Sequence, residues 1–219
     1  MMILGNVRRE DMKNILCFGD SNTWGYNPST KERYTWGIRW TSIIQEMLGK
    51  DEVRIVEEGL CGRTTVYEDA VRPNRKGIET LRTIFHTKND IHSVILMLGT
   101  NNCKKYYNNS AIDISEGISQ CLDIILQHVA SKHVLLVSPI TLGENVWKEE
   151  FDPEFDRESV LVSKYLKNEY QKVAKEKKVH FLAASEYARP SEADQEHLDV
   201  VGHNQLANAI YERIHLVNL

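Results

Sequence analysis

At 219 residues the chain has the usual length of one α/β domain, long enough to bury a core without disulfide or metal staples. Its 27 Lys plus Arg against 31 Asp plus Glu give a formal charge of -4, with the basic residues scattered along the chain. That balance argues against nucleic acid or an anionic membrane as a partner.

The first dozen residues, MMILGNVRREDM, are too short in apolar length to be a signal peptide. Residues 1–13 read as a short leader, with Met12 as an alternative start, ahead of a single domain within 1–219. No stretch approaches the roughly 20 apolar residues of a membrane span. Cys17, Cys61, Cys103 and Cys121 form no CxxC pair, as expected of reduced thiols in a cytoplasmic protein.

Five short runs rich in Val, Ile and Leu predict strands at Asn14–Phe18, Val53–Val56, Ser93–Leu98, Val134–Val137 and Val179–Leu182. Helical periodicity lies between them. Trp36, Trp40, Ile43, Ile44, Met47 and Leu48 share one face, as do Ile114, Ile118, Leu122, Ile125 and Val129. Further helices are predicted over Ile78–His86, Ser159–Lys177 and Asn204–Val217. Alternating strand and helix with right-handed crossovers gives a three-layer α/β/α sandwich on a five-stranded parallel sheet, with flavodoxin-like strand order as the default. Such folds bind ligands beyond the carboxyl ends of the strands, which directs attention to the segments just after each one. The long irregular stretch 139–157 is on that side and carries Trp147, Phe151 and Phe155; it is a candidate pocket wall, a subunit contact or a plain surface loop.

Gly19-Asp20-Ser21-Asn22-Thr23-Trp24-Gly25 follows the first strand. A serine on a tight turn there can expose its hydroxyl as a nucleophile and offer its backbone N–H to an anion. A helix cap or a phosphate-binding loop would look similar, and the GxSxG elbow is absent because Thr23 stands two residues after Ser21. Gly59 after the second strand and Asn101 after the third supply two more donors, one from backbone and one from a side-chain amide. With the Ser21 N–H they would surround one point, as a developing oxyanion requires. Near the C-terminus, Asp194 precedes His197 by three residues, a spacing that lets the carboxylate orient the imidazole and leave its other nitrogen to take a proton. His203, four residues after Asp199, is a weaker candidate base, since it opens the last helix where a histidine caps or packs. The remaining histidines read as helix-face or strand-edge residues.

Together these four segments resemble the blocks of the SGNH (GDSL-like) hydrolase superfamily: Gly19-Asp20-Ser21, Gly59, Gly99-Thr100-Asn101 and Asp194-x-x-His197, in family order over nearly the whole chain. The wider segments around 17–25, Arg39-Trp40, 57–60 with Arg63-Thr64-Thr65, and 97–101 resemble its arylesterase and acyltransferase branch. The resemblance implies a serine esterase for small-acyl esters, with Ser21, His197 and Asp194 as catalytic triad and Ser21, Gly59 and Asn101 as oxyanion hole. It further implies acyl transfer to alcohols as a second outcome, no metal or organic cofactor, a small ester as partner, and assembly into homo-oligomers. Asn22, Trp24 and Asn102 are candidate substrate contacts. Three positions depart from the family pattern: Asn22 where Leu is common, Asn102 where Asp is common, and Gln195 where Gly is frequent. Carbohydrate O-deacetylation or thioester cleavage by the same residues is the alternative, and a flavodoxin-like phosphate or flavin binder is the remote one.

Overall fold

The computed structural model describes residues 12–49, 51–88 and 90–219. Most of the 1–13 leader therefore lies outside the described residues. Strands β1 (Lys13–Gly19), β2 (Val53–Gly59), β3 (Ile91–Met97), β4 (Val134–Ser138) and β5 (His180–Ala183) form one parallel sheet in the order β2-β1-β3-β4-β5. This is the flavodoxin-like order expected. Five longer helices, α2 (Trp40–Leu48), α3 (Gly77–Thr87), α4 (Ala111–Leu126), α5 (Arg157–Lys177) and α6 (Val200–Val217), cover the sheet, and a single turn, α1 (Ser21–Trp24), follows β1.

Alternation along the strands divides the core between two faces. Leu16, Phe18, Val94, Leu96 and Leu136 face α3, α4 and α5 through Leu81, Ile114, Ile118 and Leu166. Ile15, Cys17, Ile95, Leu135 and Val137 face α2 and α6 through Trp40, Ile44, Leu206 and Ile210. Both faces being covered explains why the strands read as continuous apolar runs.

Two helix starts and the packing of one loop differ from expectation, each for a local reason. Trp36 lies outside α2 and is half exposed (48 %), because Gly37 takes a left-handed φ of 86° and its N–H donates to Ser42 Oγ, which starts the helix at Trp40. The last helix begins at Val200 because Asp199 caps it, accepting the Gly202 N–H at 2.7 Å. Segment 139–157 is largely packed down: Phe155 is 1 % exposed in the core, and Trp147 packs against that core under the Arg157 guanidinium.

Two contacts carry the rigidity of the helical layers to the strand ends. Tyr170 of α5 is fully buried and donates its hydroxyl to the Leu98 carbonyl at 2.8 Å, one residue before the Gly99–Asn101 block. Gln45 of α2 accepts the Ile55 N–H at 2.7 Å. Removing the Tyr170 hydroxyl leaves a buried carbonyl short of a donor, so Tyr170→Phe should lower stability by about 1–2 kcal/mol in urea unfolding.

Candidate active site

The chain that leaves β1 is turned at once by Asp20, whose Oδ1 accepts the Asn22 N–H at 3.0 Å and so caps α1 with Ser21 as its first residue. Gly25 closes the turn with a left-handed φ of 88°. The turn lies against the end of β2, where Gly59 pairs in register with Gly19. A β-carbon on Gly59 would stand 2.1 Å from the Trp24 backbone nitrogen, so only glycine lets α1 seat there.

At the far end of the sequence, the turn 194–197 is built on one carboxylate. Asp194 Oδ1 accepts the N–H groups of Glu196 (3.0 Å) and His197 (2.9 Å), and Oδ2 accepts the His197 Nδ1–H at 2.6 Å. With Nδ1 protonated, Nε2 is free to accept the Ser21 hydroxyl, 2.8 Å away. Ser21, His197 and Asp194 thus form one hydrogen-bonded line at the carboxyl ends of the strands. Tyr26 lies over the imidazole with ring centroids 4.4 Å apart.

Gln195 takes a φ of +64°, a left-handed conformation that glycine adopts freely and that disfavours most side chains. The strain is held by neighbours, since its carbonyl accepts the Gly143 N–H at 2.7 Å and its amide donates to Glu192.

Asn101 is 2 % exposed and donates one amide hydrogen to the Arg63 carbonyl at 3.1 Å, leaving the second available. Arg63, which in the sequence stands out only as part of the Arg63-Thr64-Thr65 block, knits the strand ends. Its guanidinium donates to the carbonyls of Gly19 (2.9 Å) and Glu58 and lies 4.1 Å over the Phe18 ring. Burial depresses its pKa to about 10.

The expectation that Asn102 contacts substrate is corrected, whereas the Asn22 side chain is only partly committed to the protein. Asn22 Oδ1 accepts the Leu198 N–H at 2.9 Å, and its carbonyl accepts the Trp40 indole N–H. Asn102 is fully buried and spends both amide atoms on Thr65. Asn102 is thus an internal brace. Trp24 keeps partial exposure and carries the Arg33 guanidinium 5.6 Å from its ring.

His203, the competing base, is fully buried, where its Nδ1 accepts the Trp40 N–H at 3.3 Å and its ring meets Tyr34 edge-on. Burial, with the charges of His197 and Arg39, depresses its pKa to about 3. It is a neutral packing residue. His128 stacks on Phe85, His92 lies against His133, and His215 bonds the Tyr211 carbonyl.

The site holds its charges in little water. Burial opposes a proton on His197, but the charge of Glu196, the hydrogen bond and charge of Asp194, and the charge of Asp20 outweigh it and raise the imidazole to about 8. Burial also lifts Asp20 to about 6, against the Asn22 N–H and the His197 charge. Asp194 stays below the usual carboxylate range, since its hydrogen bonds to His197 outweigh burial. Among the described residues no group of three or more His, Cys, Asp or Glu is placed to hold a metal ion, and no helix is long and apolar enough to cross a membrane.

The model of the GDSL-like lipase/acylhydrolase family matches residues 17–216. The chain belongs to that family. It is accordingly a serine ester hydrolase, similar over its whole fold to solved esterases. The aryl esterase of M. smegmatis is 30 % identical, with 94 % of this chain and 99 % of that one covered at a TM-score of 0.83. A carbohydrate acetylesterase from Sinorhizobium meliloti gives the same identity, coverage and score. A lipase/acylhydrolase from Enterococcus faecalis, 19 % identical at a TM-score of 0.67 over 93 % and 95 % of the chains, shares the fold. No curated protein matches the chain by sequence.

In this esterase the seat of α1 on Gly59 is testable. Gly59→Ala must push the Trp24 backbone away, so it should cost about 1–3 kcal/mol in thermal unfolding. It should also lower kcat more than it raises KM.

Proposed function

We propose that the esterase cleaves small-acyl carboxylic esters through an acyl-enzyme on Ser21, with His197 as base then acid and Asp194 orienting the imidazole. The observation that carries this reading is the continuous hydrogen-bonded line from Ser21 Oγ through the His197 ring to Asp194. Ser21 Oγ attacks the ester carbonyl carbon while its proton passes to His197 Nε2. The oxyanion is received by the N–H groups of Ser21 and Gly59 and the free amide hydrogen of Asn101. His197 then returns the proton to the departing alkoxide, and water, deprotonated by the same nitrogen, releases the acid. An added alcohol in place of that water gives acyl transfer.

Removal of an acetyl group from a carbohydrate is the second reading, and one observation favours it. Phe155 is packed into the core and Trp147 is held beneath Arg157, so of the three aromatic side chains named in segment 139–157 Phe151 alone is left to wall a long acyl chain. The solved carbohydrate acetylesterase that the chain resembles supports it from outside. A cytoplasmic location fits the cysteine pattern, and homo-oligomeric assembly fits the arylesterase branch; gel filtration tests the latter.

A p-nitrophenyl ester series from acetate to octanoate tests the chemistry. Acetate should be cleaved best, and Ser21→Ala and His197→Ala should each lose nearly all turnover. Asn101→Ala should lose about 100 to 1,000-fold, the usual cost of one oxyanion donor. Residual activity in Ser21→Ala near the native level would reject the assignment.

The pH dependence has a fixed sign. His197 accepts the serine proton only when neutral, and its pKa is raised to about 8. Activity should therefore be low at pH 6 and climb through about pH 8 in kcat/KM profiles of the native protein.

A further inference from the structure

The turn 194–197 carries a second acidic side chain that the reaction as described does not use. Glu196 is 6 % exposed, although a buried carboxylate without a partner costs several kcal/mol. Among the described residues no donor gives it a hydrogen bond. Its Oε2 stands 3.8 Å from His197 Nδ1, the same nitrogen that donates to Asp194 Oδ2 at 2.6 Å. The two carboxylates belong to one turn, since the Glu196 N–H is one of the donors that hold Asp194.

We propose that Glu196 is a positioning residue, a second carboxylate on the Nδ1 side of His197 that shares with Asp194 the stabilisation of the imidazolium. The inference rests on His197 being the base of Ser21.

The groups around Glu196 leave His197 as its counter-charge. The charged groups that face it are His197, Asp152, Lys104 and Asp194. Asp152 and Asp194 repel it, and the Lys104 ammonium is already paired with Glu154. Those raising the imidazole of His197 are Glu196 through its charge, Asp194 through both a hydrogen bond and its charge, and Asp20 through its charge. Burial lifts Glu196 itself to about 7. The pair is therefore charged together in mildly alkaline solution. An apolar residue in its place would leave a more acidic imidazolium and a base active at lower pH. The second carboxylate thus trades activity at neutral pH for a stronger base above it.

The test is the rate of covalent labelling of Ser21 by a fluorophosphonate between pH 5 and 10, which needs no knowledge of the ester. The proteins compared are the native chain, Ser21→Ala, Glu196→Gln, Glu196→Leu, Asp194→Asn and the double variant Asp194→Asn with Glu196→Gln, each checked for unchanged thermal unfolding. Removing the Glu196 charge should move the acid limb down by about one pH unit, the usual effect of a counter-charge at this range. Asp194→Asn should keep part of its reactivity through Glu196, and the double variant should fall by about a further tenfold, the equivalent of that unit. A Glu196→Gln or Glu196→Leu profile that superimposes on the native one overturns the proposal. So does a double variant no slower than Asp194→Asn. If neither Glu196 variant folds, the native profile decides alone, because an acid limb at or below pH 6.5 removes the need for a second carboxylate. A native chain that is not labelled, or is labelled equally in Ser21→Ala, instead rejects the serine chemistry and takes this inference with it.

Discussion

The chemistry of this molecule hangs on a splice between two turns 176 residues apart in the chain. The Ser21 hydroxyl meets His197 Nε2 at 2.8 Å, and beside it the Leu198 N–H meets Asn22 Oδ1 at 2.9 Å. Both bonds hold the two turns in register, and in the proposed mechanism the proton moves along the first. One atom of the side chain next to Ser21 is thereby spent on geometry. Preorganisation of this kind costs nothing at the moment of reaction, since the donors and acceptors are already aligned.

Around that splice the strand ends are tied by buried charge. Arg63 reaches the carbonyls of Gly19 and Glu58, and its own carbonyl receives the Asn101 amide, so β1, β2 and the segment after β3 are all tied to one arginine. Glu57 is gripped by Arg39 through two bonds of 3.0 Å and by Arg33 at 3.1 Å, which pins the loop between α1 and α2. Arg72 links Asp69 to Glu154, and Glu154 in turn meets Lys104, so segment 139–157 is anchored to the loop that follows β2. Glu57, Asp69 and Lys104 are largely shielded from water, where losing the partner leaves an expensive unpaired charge. The site is stiff because its polar groups are committed to one another.

The strands were legible because burial on both faces removes polar alternation and leaves runs such as Ile15–Phe18 and Val134–Val137. The serine, glycine, asparagine and histidine segments were legible for another reason: each stands just after a strand or just before the last helix, where a parallel sheet gathers its ends. Asn102 was misread because an asparagine after a strand looks the same in sequence whether its amide faces a ligand or the protein. Trp36 was misread because its spacing suits a helix face, while the left-handed Gly37 that interrupts the helix leaves no mark on periodicity. Phe155 looked like a pocket residue only because it lies in a long loop, and packing put it in the core.

What the sequence determined alone is the class of fold, the strand order that right-handed crossovers allow, and the residue types able to perform acyl transfer. These depend on local patterns and on connection rules that hold for any parallel α/β domain. Tertiary structure alone decided which of two C-terminal histidines meets Ser21. His197 sits on a turn folded about Asp194, while His203 is buried against Trp40 and kept neutral. It also decided that Arg63 fastens the strand ends and that Glu196 stands beside the base. These are distances between residues far apart in the chain or orientations within one turn, and neither is written in residue type or spacing.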